Sequence, residues 1–156
     1  MITRFSRVLF LCGLIATSGV VASNVNAAQN EQSSPQDASA NDGVRAAIDQ
    51  YFKGHATGDP AEMRKAFLPT AHIEGIRDGK FTSWTVDEYC AFSKGKPADD
   101  ESSRVRTIDA IDVSGSAAMA RATLVHGTAT FTDYFVLLLV DGEWKIANKV
   151  YSRQAK

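Results

Sequence analysis

The fold is decided by one stretch near the end of the chain, residues 104–151, which reads RVRTIDAIDVSGSAAMARATLVHGTATFTDYFVLLLVDGEWKIANKVY. Four segments of this stretch are either continuously apolar or alternate between apolar and polar residues. Short segments that contain Gly, with Asp or Ser in two of the three, separate them. The predicted strands are residues 104–113, 117–126, 131–140 and 143–151. Because strands joined by such short connections pair antiparallel with their neighbours, this stretch predicts a four-stranded meander.

A long first helix is predicted ahead of the meander, from Asp42 to Gly58. Its apolar positions recur at helical spacing and form one stripe that would pack on the sheet. The stripe consists of Val44, Ala47, Ile48, Tyr51, Phe52 and His55. A second, short helix is predicted directly afterwards, because Asp59 can cap its N-terminus and Glu62 can complete a capping box.

A hairpin and a third helix complete the predicted elements. Asp78-Gly79 is a turn signal between two strands, residues 72–76 and 80–84. Residues 85–88 form a second capping box, which opens the third helix. The order of elements therefore predicts an α+β fold in which three helices cover one face of a mostly antiparallel sheet.

The beginning of the chain predicts export. Residues 1–27 carry two Arg, a short apolar core and a small-x-small ending, which together are typical of a signal peptide. Residues 28–41 contain no large apolar side chain and predict a flexible linker, so the folded domain is expected to span residues 42–153. The expected location is periplasmic or secreted, and a retained membrane anchor is the alternative.

Charge and cysteine content exclude several classes of partner. Cleavage after residue 27 would remove two Arg and no acid, so the net charge would change from 17 − 18 = −1 to 15 − 18 = −3. A mildly acidic domain without a basic cluster is not expected to bind nucleic acid or, once the leader is cleaved, a membrane. Cys90 would be the remaining cysteine, which excludes an intramolecular disulfide and favours a buried thiol.

One face of the predicted meander carries the candidate site, if residues 114–115 and 141–142 are two-residue turns. This inner face consists of Val105, Thr107, Asp109, Ile111, Ala118, Ala120, Ala122, Leu124, His126, Phe131, Asp133, Phe135, Leu137, Leu139, Trp144, Ile146, Asn148 and Val150. Asp133 lies on it diagonal to His126 and Asn148. A buried carboxylate needs hydrogen bonds or takes up a proton, and beside a His it can perform acid–base chemistry. A purely structural Asp at a solvent-exposed rim is the alternative.

We expect the inner face and the helices to enclose a partly apolar pocket for an unidentified small molecule. Its expected ligand-binding residues are Tyr51, Phe52, Trp84, Phe135, Trp144 and Asn148. Its candidate catalytic residues are Asp133, His126 and His72. No cofactor or metal is predicted, because the sequence has no phosphate loop, no dinucleotide fingerprint and only three His without ligand spacing.

The outer face of the sheet is also apolar and predicts an interface. It carries Thr132, Tyr134, Val136, Leu138 and Val140, with Ala147, Lys149 and Tyr151 beside them. Because the helices cover the inner face, we expect a second copy of the chain to cover this outer face in a homodimer. Lys149 beside Tyr134 is then expected at the rim of that interface.

Four runs of sequence carry a family resemblance. They are YFxGxxxGDP (residues 51–60), AFLPTAHI (66–73), FTDYF (131–135) and DGEWKIANKVY (141–151). Together with the order of elements, these runs resemble the putative lumazine-binding family of the nuclear transport factor 2-like (SnoaL-like) superfamily. The resemblance implies a cone-shaped fold with a curved sheet, a pocket between sheet and helices, and often a dimer.

The ketosteroid isomerase relatives within that superfamily allow the resemblance to be followed residue by residue. Tyr51 matches their helix-one Tyr by its spacing to Asp59, and Asp133 is similar by position to an Asp on their meander. Gly75 stands where they carry a proton-shuttling Asp, which argues against steroid isomerisation unless Glu74 or His72 takes over that role. Three functions stay open: a small-molecule-binding protein, a small isomerase, dehydratase or cyclase using the same pocket, and a homodimeric interaction module.

Overall fold

The computed structural model describes residues 35–155 of the chain, with side chains from residue 36 onward. Its helices are α1 (Pro35–Thr57), α2 (Pro60–Arg64) and α3 (Val86–Cys90), and a 3-10 turn covers Glu101–Ser103. Its strands are β1 (His72–Arg77), β2 (Lys80–Thr85), β3 (Val105–Ser114), β4 (Ala117–His126), β5 (Ala129–Val140) and β6 (Glu143–Ala155). The predicted signal peptide and residues 28–34 of the predicted linker lie outside the described residues.

The six strands form one sheet in the order β2-β1-β6-β5-β4-β3. Neighbouring strands pair antiparallel except β1 and β6, which pair parallel. Strands β3 to β6 form the predicted meander, and the parallel step places the β1–β2 hairpin beside β6. The α+β class is therefore confirmed, whereas the three-helix expectation holds only in part, since α2 and α3 are five residues long each.

Helix α1 begins at Pro35 rather than at Asp42, so residues 35–41 are helical where the sequence predicts a linker. Extending a helix that is already anchored by the buried Val44 costs little free energy, because nucleation has already taken place. Pro is tolerated at the first helical position. The helix ends where it was expected to end, because Gly58 adopts the positive φ of +62° that stops a helix.

Capping hydrogen bonds determine where the two short helices begin. Asp59 caps α2, since its Oδ1 accepts from two backbone N–H groups at 2.8 and 3.4 Å. The predicted return bond from Glu62 is not formed, because the Asp59 N–H donates to Thr57 Oγ1 and Glu62 pairs with Lys53. The capping box predicted at residues 85–88 is present at the start of α3.

A β-bulge in β3 changes which residues face the core. The register between β3 and β4 shifts around Asp109, and such a shift turns every residue on one side of it to the other face. Arg106 and Ile108 therefore share the inner face, and Val105 and Thr107, which were expected there, face outward. Asp109, also expected inside, lies at the surface for the same reason.

A second bulge, in β6, changes the candidate site itself. The register between β5 and β6 shifts so that Ala147 is an extra residue in β6. Beyond it, Lys149 and Tyr151 point inward, and Asn148 and Val150 point outward. The expectations for all four of these side chains were therefore wrong, since they assumed an unbroken alternation along the strand.

The turn between β4 and β5 also differs from the expectation. Residues 127–128 form a two-residue turn, where a loop of residues 127–130 was expected. Asp133 therefore lies opposite Ala122 rather than Leu124. Because this shift is two residues, Asp133 stays on the inner face.

The core lies between α1 and the inner face of the sheet. The small side chains Ala118, Ala120 and Ala122 of β4 are buried as predicted, and so is the Cys90 thiol. The largest side chains that are fully buried are Tyr51, Phe135, Ile48, Ile73, Leu124, Leu137 and Ile146. Within residues 35–155, no helix is both long and apolar enough to cross a membrane.

Candidate functional site

A cavity of about 190 Å³ lies between α1, α3 and the inner face of the sheet. Six aromatic side chains line it: Tyr51, Trp84, Tyr89, Phe92, Phe131 and Tyr151. Its polar side chains are Asp133, Lys149, His55, His126, Arg77 and Arg153. These groups converge because alternate residues of β5 and β6 point into the same hollow, which α1 and α3 close from the other side.

A buried ion pair lies at the closed end of the cavity. Asp133 and Lys149 are only 1% and 4% exposed, and Lys149 Nζ donates to Asp133 Oδ2 at 2.9 Å. Tyr51 Oη donates to the same carboxylate oxygen at 2.9 Å, and Lys149 Nζ donates to Tyr51 Oη at 2.7 Å. The three groups therefore form a closed triangle of hydrogen bonds, which is what allows two opposite charges to be buried here.

The hydroxyl of Tyr51 connects this triangle to two further groups. His55 Nε2 lies 2.9 Å from Tyr51 Oη and 3.0 Å from Tyr89 Oη, and the two hydroxyl oxygens are 3.2 Å apart. A phenol has one proton to give and two acceptor positions, so Tyr51 cannot bond fully to all four neighbours at once. The protons of this cluster therefore have alternative arrangements, as a proton-relaying site requires.

Burial and charge set the protonation states of the triangle. Burial, and then the negative charge of Asp133, raise the pKa of Tyr51 well above its ordinary value. Burial alone would lower the pKa of Lys149, but the charge of Asp133 and the neighbouring Tyr89 together outweigh that effect and raise the pKa. Tyr51 is thus a neutral phenol and Lys149 an ammonium ion at neutral pH.

Three tyrosine rings surround the Lys149 ammonium. Its Nζ lies 5.0 Å from the ring centroid of Tyr51, 5.2 Å from that of Tyr89 and 5.5 Å from that of Tyr151. Each distance is within the range of a cation–π contact, which is stronger where water is excluded. The aromatic wall therefore stabilises the buried cation as well as shaping the cavity.

The two histidines of the cavity are neutral. Burial, followed by the charge of Lys149, lowers the pKa of His55 well below its ordinary value. Burial, followed by the charges of Arg104 and Arg106, lowers the pKa of His126 to about 4. Both rings can therefore accept or donate one hydrogen bond without carrying charge at neutral pH.

Two buried polar atoms of the cavity wall have no hydrogen-bond partner among the described residues. They are Asp133 Oδ1 and His126 Nε2. Leaving such an atom buried and unpaired costs about 1–3 kcal/mol, more for a charged group, so native proteins rarely do so without a reason. Both atoms belong to side chains that line the cavity.

Four of the residues predicted for the site line the cavity: Asp133, His126, Tyr51 and Trp84. Asn148 does not, because the β6 bulge turns it outward, where it bonds to the backbone N–H of His72 and to Glu74. His72 itself is exposed on the same outer side, so it cannot reach the cavity.

The remaining three predicted residues belong to the apolar core beside the cavity. Phe135 is 1% exposed and packs edge-on against Tyr51, with ring centroids 5.3 Å apart. Trp144 lies against α1 at Gly43, so closely that a Cβ on that glycine would lie 2.5 Å from the indole. Phe52 is partly buried and packs against the core. These rings support the site without lining it.

Sequence reasoning missed Lys149, the residue on which the cluster depends. The signal that could have found it is the buried Asp133, which requires a cation or a donor nearby. In the expected register, the residues of β6 next to Asp133 are Asn148 and Val150, and neither carries a positive charge. A one-residue bulge that brought Lys149 inward would have supplied the missing charge. His55, which was expected to pack in the core, is also part of the cluster.

Comparison with known proteins places the chain in a family. The family described as "Putative lumazine-binding" matches residues 39–152. The chain belongs to this family. Its fold is therefore of a small-molecule-binding type, as the sequence resemblance implied. No curated protein matches the chain.

Solved structures agree with the family assignment. A nuclear transport factor 2-like protein of unknown function from Methylobacillus flagellatus is 31% identical, with 80% of this chain and 97% of that chain covered and a TM-score of 0.66. A similar protein of unknown function from Shewanella baltica is 27% identical, with 76% and 97% covered and a TM-score of 0.69. A ketosteroid isomerase-like protein from Erwinia carotovora is 16% identical, with 72% and 95% covered and a TM-score of 0.55, and shares the fold alone.

Proposed function

We propose that the protein is exported and binds a small organic molecule in the aromatic cavity, where Asp133 and His126 orient the ligand. The observation that carries this proposal is the pair of unpartnered buried atoms, Asp133 Oδ1 and His126 Nε2, in the wall of one cavity. A ligand that donates to the carboxylate and bonds to the imidazole would remove both unsatisfied groups. The aromatic wall would supply the apolar contact area.

The cluster behind these two residues favours recognition, because it holds Asp133 rigidly. Oδ2 already receives hydrogen bonds from Tyr51 and Lys149, each at 2.9 Å, so the orientation of the carboxylate is fixed before any ligand arrives. A preorganised polar group loses little entropy when it binds. The remaining oxygen, Oδ1, is therefore positioned to select a ligand by its hydrogen-bond donor.

Native mass spectrometry of the mature protein, purified from its own host, tests this proposal. We expect a bound small molecule that is released on denaturation. His126→Ala should reduce the bound fraction, and His72→Ala is the matched control, since His72 is exposed and does not line the cavity. Equal retention by the two variants, or wild-type protein that carries no small molecule, would contradict the proposal.

Export of the chain is supported by the N-terminal sequence. Residues 1–27 have the charge, the apolar core and the cleavage pattern of a signal peptide. Expression of the full chain should yield a periplasmic or secreted product that begins after Ala27. N-terminal sequencing of that product is the measurement, and an intact leader on cytoplasmic protein would be the contrary result.

The same cavity supports a second candidate, an acid–base enzyme of the isomerase, dehydratase or cyclase type. The specific observation is the continuous chain of hydrogen bonds from His55 through Tyr51 to Asp133, along which a proton can be passed. Incubation with a metabolite mixture should then consume a compound that Asp133→Asn leaves intact. Unchanged mixtures with both proteins would exclude this candidate and leave binding as the function.

A homodimer through the outer face of the sheet remains our proposal for the oligomeric state. Large apolar side chains on this face are exposed and adjacent in the sheet: Met119, Tyr134, Val136, Leu138 and Val150. An apolar surface of this kind is typical of an interface. Tyr134→Arg should give monomers in sedimentation, and a dimer that persists in this variant would show that another surface is used.

A further inference from the structure

Two arginines at the solvent end of the cavity have no anionic partner among the described residues. Arg77 and Arg153 both line the cavity and are both exposed. The ion pairs of the described residues include neither of them, although Arg104 and Arg106 nearby each have a carboxylate partner. These two guanidinium groups are therefore available to a ligand.

The two arginines lie on neighbouring strands, just beyond the last paired residues of β1 and β6, and line the same cavity. Strands β1 and β6 run parallel, and Gly75 of β1 is paired with Tyr151 of β6. Arg77 and Arg153 lie two residues further along their strands, on the same face as this pair. Like charges in neighbouring positions of a sheet repel each other, and an anion bound between them would remove that repulsion.

The charge of the cavity as a whole favours an anion. Lys149 and Asp133 cancel each other, and the two histidines are neutral. Arg77 and Arg153 are then uncompensated, so the cavity wall carries a net charge of +2 (three cations minus one anion). Guanidinium groups bind carboxylates well, because their planar fork matches the two carboxylate oxygens.

The polar groups of the cavity lie at different depths. Asp133 is 1% exposed, whereas Arg77 and Arg153 are exposed. All three line the same cavity, together with the Tyr151 ring, which is stacked on Trp84 with 9° between the planes. An anionic group of a ligand would therefore lie toward solvent, and its hydrogen-bond donor toward the buried end.

The volume of the cavity agrees with a ligand of one ring. The cavity measures about 190 Å³, and an engineered cavity of roughly 150 Å³ in another protein holds benzene. We infer that the site takes a one-ring aromatic carboxylate that carries a hydrogen-bond donor at the opposite end. Arg77 and Arg153 bind the carboxylate, the aromatic wall contacts the ring, and Asp133 Oδ1 accepts from the donor. This inference rests on the proposed small-molecule-binding function and names its ligand class.

Isothermal titration calorimetry of the mature protein with two probes of nearly equal shape tests the inference. The probes are 4-hydroxybenzoate and its neutral analogue 4-hydroxybenzamide. We expect the acid to bind at least tenfold more tightly than the amide. Arg77→Gln and Arg153→Gln should each weaken binding of the acid by about tenfold, the loss typical of a charge-assisted hydrogen bond at an exposed site. Arg45→Gln, at an exposed position of α1 outside the cavity, is the matched control and should leave affinity unchanged.

The outcomes separate this inference from the function on which it rests. Equal affinity for acid and amide, with no loss in Arg77→Gln or Arg153→Gln, overturns the anion preference and leaves small-molecule binding intact. Binding of neither probe overturns the ligand class, and the proposed function is then decided by the small molecule found in native mass spectrometry. An equal loss in Arg45→Gln would show a general charge effect and would also overturn the inference.

Discussion

Replacing Lys149 with Met should destabilise the protein far more than an equivalent change at the surface. The methionine has a similar length but no charge, so Asp133 would remain 1% exposed without its counter-ion. Two unit charges 2.9 Å apart attract by about 6 kcal/mol at an effective dielectric constant of roughly 20. Desolvation offsets part of this attraction, and removal of one partner from a buried pair costs about 3–5 kcal/mol. That is a large fraction of the ~5–15 kcal/mol that stabilise a typical domain.

Urea unfolding followed by circular dichroism measures this cost, and β6 itself offers a matched control. Lys145 forms an ion pair of 2.8 Å with Glu143, but the Glu143 side chain is 71% exposed. An ion pair with an exposed partner contributes little, and Lys145 also donates to the carbonyl oxygen of Lys65 at 3.0 Å, so Lys145→Met should lower the free energy of unfolding much less than Lys149→Met. The difference between the two Lys→Met variants isolates the effect of burial.

The double variant Asp133→Asn/Lys149→Met completes a thermodynamic cycle. It removes both charges together, and should be much more stable than the sum of the two single losses predicts, because neither charge is then left unpaired. A Lys149→Met loss within about 1 kcal/mol of the Lys145→Met loss, or simple additivity in the cycle, would refute the reasoning that a buried, mutually dependent pair closes the cavity.

Three further predictions follow from the same cluster and its supports. Neutral His126, with its pKa of about 4 in the fold and about 6.5 in the unfolded chain, contributes stability that is complete above pH 6.5 and is lost as the pH falls toward 4. His126→Gln should flatten that decline in a pH series of melting temperatures, and an unchanged decline would contradict the assignment. Tyr51→Phe removes the hydroxyl that joins Asp133, Lys149 and His55, and should cost about 1–3 kcal/mol in urea unfolding; wild-type stability would argue against the network. Gly43→Ala should cost about 1–3 kcal/mol through overpacking, since its Cβ would lie 2.5 Å from the indole ring beside it, and unchanged unfolding would show that the indole is free to move.

The strands and turns of the meander could be predicted because their signals are local. The strand at residues 117–126 has the predicted bounds, and the turn at Asp141-Gly142 forms with positive φ at both residues. Alternation along one strand is also enough to place Asp133 and the Ala row inside. These features depend on neighbours in sequence, where periodicity and turn chemistry act directly.

The candidate site was predicted only in part, because it depends on a bulge in β6 that has no clear local signal. The bulge at Ala147 decides that Lys149, rather than Asn148, faces Asp133. After a bulge, each residue of the strand points to the face opposite the one expected from unbroken alternation. Long-range packing determines at which residue the bulge forms. The sequence could therefore predict that a buried carboxylate needs a partner, but not which residue of β6 supplies it.

A high-resolution crystal structure of the mature protein, purified without added ligand from its own host, tests the central claim most directly. We predict electron density for a small molecule in the cavity, with atoms within hydrogen-bond distance of Asp133 Oδ1 and His126 Nε2. A cavity filled by the protein's own side chains, or a protein donor bonded to Asp133 Oδ1, would contradict the account.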